Sequence, residues 1–276
     1  MLLLEKLTWS WQWFALLAGI VSFYGVFVNR YVKNELVCWQ PISFLLACLL
    51  LFLMLGSPFA MLSQVSITLH MVQMSLLFFF VPPLLMLGIP VALVDVMTSW
   101  LRRSKLPSIH LSPIAFLSTF AVVFLFYHTP IILTFLVARP LVHAGFLLLL
   151  FLLSFGMWKP LASPDPLLRL CSCKMKRYAF LSGVAISPAC LFFIASGFLE
   201  GATNPLALQL ISHLCGPDIL ESFPLLPAPF HTKHDLILAG LFMMVLHKSA
   251  LVVTLKLERR VSKVFYEALA RDCWKD

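Results

Sequence analysis

The chain has 276 residues, of which 61% are hydrophobic and only 12% are charged. A soluble domain of this size needs a more polar surface than these residues can supply, so the composition excludes an ordinary soluble fold. The formal net charge of +8 does not indicate nucleic-acid binding, because the basic residues are scattered in short segments between long apolar runs.

Seven apolar runs, taken in chain order, have about the length that a transmembrane helix needs. They cover approximately residues 10–28, 41–57, 69–90, 112–127, 141–158, 179–198 and 235–255. We therefore predict an all-α, polytopic membrane protein in which residues 1–256 form a bundle of about seven transmembrane helices. Residues 257–276 are basic with one apolar helical face, which predicts an amphipathic tail on the inner membrane surface.

The basic residues alternate between the two sets of segments that join these runs. Sixteen follow the first, third, fifth and seventh runs: Arg30, Lys33, Arg102, Arg103, Lys105, Lys159, Arg169, Lys174, Lys176, Arg177, Lys256, Arg259, Arg260, Lys263, Arg271 and Lys275. Only Lys6, Arg139 and Lys233 lie in the other set, and Lys248 falls within the seventh run. Because basic loops stay in the cytoplasm, this pattern predicts an outside N-terminus and a cytoplasmic C-terminus.

This orientation places three histidines at the outer ends of neighbouring spans. His70 opens the third span, His128 closes the fourth and His143 lies in the first turn of the fifth. Helical spacing puts Gln73 and Met74 on the same face as His70. Each residue alone has an ordinary explanation, such as helix capping or core packing. Their common depth favours a metal site, and imidazole and thioether groups suit Cu(I).

Proline predicts where two of these spans bend or end. Pro82 and Pro83 should kink the third span toward its inner end, since neither can donate a backbone hydrogen bond. Thr129 precedes Pro130 and is therefore disfavoured in a helix, so the fourth span should end at Tyr127–His128.

The seventh span carries polar residues of its own. Asp235 is the only acid that starts a span on the outer side, where it would orient a neighbouring histidine. Met243 and His247 are four residues apart and share a face, which predicts a possible intramembrane polar site. Lys248 either contributes to that site or extends to the inner surface.

The remaining segments carry weaker signals. Residues 199–234 form a Pro-rich outer loop with a possible short helix at 206–214, and its histidines are compatible with simple solvation. The chain has no H-E-x-x-H, no G-x-S-x-G and no phosphate-binding Gly-rich loop, so we predict no enzymatic activity.

Three blocks of sequence resemble the polytopic CtaG family of bacterial cytochrome c oxidase assembly factors. The first runs from His70-Met71-Val72-Gln73-Met74 to Pro82-Pro83-Leu84-Leu85-Met86-Leu87-Gly88-Ile89-Pro90. The second joins Tyr127-His128-Thr129-Pro130 to Arg139-Pro140-Leu141-Val142-His143 and Trp158-Lys159-Pro160-Leu161, and the third runs from Asp235 through Ala239-Gly240 to Met243. The blocks keep their order and rough spacing over residues 63–255.

The resemblance implies a seven-span protein of the bacterial plasma membrane that helps copper reach a haem–copper oxidase subunit. His70, His128, His143 and Asp235 match positions typical of the family. Four positions depart from its pattern, namely Met74, Phe146, Leu147 and Leu236, where the family usually has polar residues.

We therefore predict an assembly factor whose partners are an oxidase subunit and membrane lipid, with no nucleic acid. The expected site is a transient copper site made by His70, Met74, His128 and His143, with Gln73, Tyr127 and Asp235 orienting these ligands. Two alternatives stay open. One is a metal-free scaffold for oxidase assembly, favoured by the four departures, and the other is a transporter for a small solute or ion.

Overall fold

The structure is a computed structural model that describes residues 8–32, 39–103, 112–198 and 233–272. Within these ranges all the regular secondary structure is helical. The helices are α1 (Trp11–Tyr31), α2 (Trp39–Leu55), α3 (Phe59–Leu62), α4 (Ile67–Gly88), α5 (Val91–Arg103), α6 (Pro113–Tyr127), α7 (Pro130–Val137), α8 (Pro140–Ala162), α9 (Ser172–Ser196) and α10 (Lys233–Asp272), and a 3₁₀ turn spans Pro166–Leu168.

Five of these helices are long and apolar enough to cross a membrane. They are α1, α4, α8, α9 and residues His234–Lys263 of α10. Helices α2 and α6 are apolar but shorter, with 17 and 15 residues. These seven helices coincide with the seven predicted spans, so the all-helical character and the positions of the long apolar helices are confirmed.

Several boundaries differ from the sequence prediction. Three helices occur where no span was expected, namely the short α3, α5 and α7. Helix α10 continues unbroken past residue 256, so the predicted tail begins within a helix rather than after a separate boundary. The short helix expected at 206–214 falls outside the described residues, as does most of the loop 199–234.

Helix α4 lies at the centre of the bundle. In its most apolar stretch 78% of the residues are buried, against 33% or less in the other four long helices. It packs against α2, α8 and α10, while α6 packs on α8 and α9 packs on α10. The outward-facing residues of the other helices are largely apolar, as lipid contact requires.

Two prolines change the hydrogen bonding inside α4. Residues Leu76–Phe80 form a π-helical segment, and Pro82 and Pro83 follow it. Neither proline can donate to the carbonyl of Phe78, whether in an α-helical or a π-helical pattern. The indole Nε1 of Trp158 on α8 donates to that oxygen at 3.0 Å instead. The helix pattern therefore changes just before Pro82-Pro83, and α8 satisfies the carbonyl that the two prolines leave without a backbone donor.

Glycines allow two pairs of helices to approach closely. A Cβ atom on Gly88 would lie 2.6 Å from the backbone nitrogen of Phe44, and one on Gly240 would lie 2.5 Å from the carbonyl oxygen of Cys190. Small residues are the usual means by which membrane helices bring their backbones together. These contacts hold α4 against α2 and α10 against α9.

Candidate functional site

Three helix ends bring the predicted histidines to one end of the bundle, which we call the His70 end. Helix α4 begins just before His70, and α6 ends at Tyr127 with His128 as its C-terminal cap. Helix α8 begins at Pro140, so His143 lies in its first turn, as the sequence predicted. Proline at the first position of α7 and of α8 fixes where each helix starts.

The phenol of Tyr127 joins two of these histidines. Its hydroxyl lies 3.2 Å from Nε2 of His70 and 2.8 Å from Nε2 of His143. A hydroxyl has one proton to donate, so it donates to one imidazole and accepts from the other. The two imidazoles therefore carry their protons on different nitrogens when both are neutral. Tyr127 is completely buried and links α4, α6 and α8.

His128 has a buried ring nitrogen without a hydrogen-bond partner among the described residues. Its Nδ1 donates to the carbonyl oxygen of Phe124 at 2.7 Å, so the neutral ring has a bare lone pair on Nε2. That Nε2 is buried and has no hydrogen-bond partner among the described residues. The rings of Phe124 and Phe193 pack against the imidazole, with centroids 4.3 and 5.3 Å away. An imidazole oriented in this way by a backbone carbonyl is suited to binding a metal.

A second buried atom lacks a hydrogen-bond partner in the part of the chain that the structure describes. It is the hydroxyl of Ser75, on the same helix as His70. Ser75 lies one turn before Phe79 on α4, and His128 lies one turn after Phe124 on α6. The Phe79 and Phe124 rings are 5.8 Å apart and the two helices run in opposite directions. Both atoms therefore lie on the His70 side of this aromatic contact, each on its own helix.

Asp235 binds the start of α4, and none of its hydrogen bonds within the described residues goes to a histidine. Its carboxylate accepts hydrogen bonds from the Ser66 hydroxyl at 2.7 Å, the Ile67 N–H at 2.8 Å and the Thr68 N–H at 3.0 Å. Its backbone carbonyl accepts from the Thr68 hydroxyl at 2.7 Å. A carboxylate is favoured at a helix N-terminus, where free N–H groups meet the positive end of the helix dipole. Asp235 thus positions His70 through the helix backbone, and the direct contact with a histidine that the sequence suggested is not among its bonds.

Gln73 and Met74 have different surroundings from His70. The Gln73 amide accepts from the Ser63 hydroxyl at 2.7 Å and donates to the Met54 carbonyl at 2.6 Å. Both partners belong to the segment around α2 and α3, so Gln73 ties α4 to those helices. Met74 is buried in the hydrophobic core. Helical spacing therefore placed these residues near His70 but did not predict their partners.

The predicted polar pair on α10 lies deeper in the bundle. Met243 is fully buried, and His247 Nε2 lies 3.1 Å from the Ser182 hydroxyl on α9. The ring of Phe79 packs on His247 with centroids 4.7 Å apart, which puts an aromatic layer between this histidine and His128. Lys248 is exposed on the outside of the helix, as expected for a side chain that extends toward a membrane surface.

Phe146, one of the departures from the family pattern, supports the site by packing. Its ring stacks on Tyr127 with centroids 5.7 Å apart. It cannot ligate a metal, but it helps to hold the phenol between the two histidines.

The described residues contain no group of three or more His, Cys, Asp or Glu side chains arranged to hold a metal ion. Two of the predicted ligands, His70 and His128, have ring centroids 6.5 Å apart, and Tyr127 lies beside both. The sequence placed Tyr127 among the residues expected to orient these ligands, and its hydroxyl bonds to two of them, His70 and His143. That one phenol joins two histidines could not be read from its place directly before His128.

A comparison with protein families shows to which family the chain belongs. Residues 22–257 match the family described as cytochrome c oxidase caa3 assembly factor, Caa3_CtaG. The chain belongs to the Caa3_CtaG family. The match covers most of the chain and every residue of the His70 end discussed above. No curated protein and no solved structure matched the chain.

Proposed function

We propose that this Caa3_CtaG protein assists cytochrome c oxidase assembly by holding copper transiently at its His70 end. His70, Met74, His128 and His143 are the proposed ligands, and the cargo is Cu(I). The observation that carries the proposal is the buried, bare Nε2 of His128. Leaving such an atom unsatisfied is costly, and a soft metal ion is one ligand that would satisfy it.

The distance between His70 and His128 supports a site of low coordination number. Two imidazoles that share one metal have ring centroids about 6 Å apart when each metal–nitrogen bond is about 2 Å long. The centroids of His70 and His128 are 6.5 Å apart. Copper would have to displace the Tyr127 hydroxyl from His70, so Tyr127 competes with the metal. Such competition weakens binding, which suits a site that must release its cargo.

The proposal includes a membrane orientation. We infer seven membrane spans in a bacterial plasma membrane, with the N-terminus outside and the C-terminus in the cytoplasm. The support is the concentration of basic residues at the opposite end of the bundle from His70. In this orientation copper would be held near the outer face, and the role of the protein would be non-catalytic.

A metal-free scaffold is the alternative that a specific observation favours. The described residues lack a group of three or more metal-ligating His, Cys or acidic side chains, and Phe146 occupies a position where the family usually has a polar residue. A scaffold would bind the oxidase subunit directly and need no copper. The transporter alternative stays a prediction, and uptake of a labelled ion by proteoliposomes containing the protein would test it.

Oxidase assembly in cells separates copper delivery from scaffolding. A strain lacking the gene would be complemented with the wild-type chain, with a His70→Ala/His128→Ala variant or with a His234→Ala control. His234 is exposed at the start of α10, outside the cluster. We expect the double variant to lose oxidase activity and to regain it when copper is added to the medium. Full activity of the double variant without added copper, at equal protein abundance, would support the scaffold.

A further inference from the structure

A cavity lies at the opposite end of the bundle from His70, which we call the Arg169 end. Its volume is about 470 Å³, and it opens where the 3₁₀ turn Pro166–Leu168 and the start of α9 meet α10. Arg169, Arg259 and Lys263 line it, and Glu258 is the one acidic residue among the described residues of its wall. Three cations against one carboxylate make this described lining net positive.

Arg169 forms a fixed base for the cavity. Its side chain is 2% exposed and its guanidinium donates to the carbonyl of Ser163 at 2.7 Å, to the Ser262 hydroxyl at 2.8 Å and to Glu258 at 3.3 Å. Ser262 in turn donates to Glu258 at 2.6 Å. The Glu258 carboxylate therefore accepts hydrogen bonds from both Arg169 and Ser262. The positive charges of Arg259 and Lys263 are at the exposed rim of the same cavity.

The rim of the cavity is apolar as well as basic. Leu167 lines it and is 75% exposed, and the neighbouring Leu168 is 62% exposed. Phe180, two turns into α9, is also 75% exposed. Large apolar side chains exposed beside cations at the end of a membrane helix are typical of the level where lipid headgroups meet acyl chains.

We propose that this cavity binds the phosphate group of an anionic phospholipid. Arg259 and Lys263 would contact the phosphate, and the fixed guanidinium of Arg169 would add to the positive potential behind it. Leu167 and Leu168 would contact the part of an acyl chain that lies nearest to the headgroup. This site is separate from the proposed copper site, and its existence does not depend on copper binding.

The test is native mass spectrometry of the full chain in detergent, with phosphatidylglycerol or phosphatidylcholine added. Wild-type protein is compared with an Arg259→Gln/Lys263→Gln variant. A Lys174→Gln/Lys176→Gln variant is the matched control, since it removes two exposed cations from the same end that do not line the cavity. We expect wild type and control to retain phosphatidylglycerol over phosphatidylcholine. Loss of two cations near an anionic lipid should weaken its retention at least about tenfold.

Two further results decide the outcome. Equal phosphatidylglycerol retention by the cavity variant and the control would overturn the proposal, provided that both variants show the thermal unfolding of wild type without lipid. If inorganic phosphate at millimolar concentration displaces phosphatidylglycerol, the cavity binds anions but its ligand is free phosphate. That result would overturn the assignment of a phospholipid. Because copper content is measured independently, failure of this site and failure of the copper proposal are distinguishable.

Discussion

At the scale of single residues, Tyr127 and His128 determine which imidazole nitrogens of the proposed copper site are open to a metal. Tyr127 bonds to Nε2 of both His70 and His143, whereas Nε2 of His128 has no partner within the described ranges. In the proposed copper site, the phenol would therefore hold two of the ligands, and His128 would be ready to bind the metal. Metal entry would exchange a hydrogen bond for a metal bond at His70.

Replacing Tyr127 with phenylalanine tests this competition. Tyr127→Phe removes both hydrogen bonds and should lower the free energy of unfolding by about 0.5–2 kcal/mol. It should also raise the affinity for Cu(I), because Nε2 of His70 no longer has a competing partner. Titration against a colorimetric Cu(I) chelator measures the affinity. Tyr178→Phe is the matched control, since its hydroxyl bonds only to the carbonyls of Met157 and Pro113 near the other end. Unchanged or weaker copper binding by Tyr127→Phe would contradict the competition.

Asp235 is a second residue whose role can be measured. Asp235→Asn removes the negative charge at the start of α4. It also replaces one carboxylate oxygen by an amide NH2 group, which cannot accept a hydrogen bond from the backbone N–H that it faces. We expect a loss of about 2 kcal/mol in the free energy of unfolding. Thermal unfolding in detergent would show it, with the exposed Asp95→Asn as control. Equal unfolding temperatures for the two variants would rule out the capping role.

At the scale of helices, close backbone approach and proline chemistry hold the bundle together. Trp158 supplies a donor that Pro82 and Pro83 cannot, and Gly88 and Gly240 bring α2 and α9 against their neighbours. These contacts position α4 and α10, the two helices that Asp235 joins at the His70 end.

Adding one methyl group at Gly240 should separate α9 from α10. In Gly240→Ala the new Cβ would meet the carbonyl oxygen of Cys190 at 2.5 Å, which requires a backbone shift. Overpacking of this kind lowers the free energy of unfolding by about 1–3 kcal/mol. Gly183→Ala on α9 is the control, because no atom lies within 4 Å of its Cβ position. Thermal unfolding of the two variants should differ, and equal stability would contradict the close contact.

The sequence predicted helices better than it predicted partners. Long apolar runs identify the helices because lipid requires each segment to satisfy its own backbone hydrogen bonds. Pro130 and Pro140 also fixed where α6 ends and α8 begins. Gln73 and Asp235 were expected to act directly on histidines, yet they bond to Ser63 and to the start of α4. Helical spacing shows which residues share a face, but the partner depends on how that face is rotated against its neighbours.

At the scale of the whole molecule, the two ends of the bundle differ in chemistry. The His70 end combines neutral aromatic and imidazole groups, while the Arg169 end carries a basic cavity and most of the cations. A protein that receives a cargo on one side of a membrane and is anchored by lipid on the other would have this polarity.

Cysteine labelling tests the proposed orientation with residues that the chain already has. Cys171 and Cys173 are exposed at the Arg169 end, and Cys215 lies in the predicted outer loop. In variants that keep only the 171/173 pair or only Cys215, a membrane-impermeant maleimide should label Cys215 in intact cells. The pair should react only after permeabilisation. The opposite labelling pattern would invert the orientation.

Copper content per purified chain is the measurement that tests the central claim most directly. The protein would be purified in detergent, loaded with Cu(I) under mild reduction and freed of excess metal. We predict about one copper per wild-type chain, retained by His234→Ala and lost in the His70→Ala/His128→Ala variant. No copper in folded wild-type protein, or equal copper in all three chains, would contradict a copper site at the His70 end.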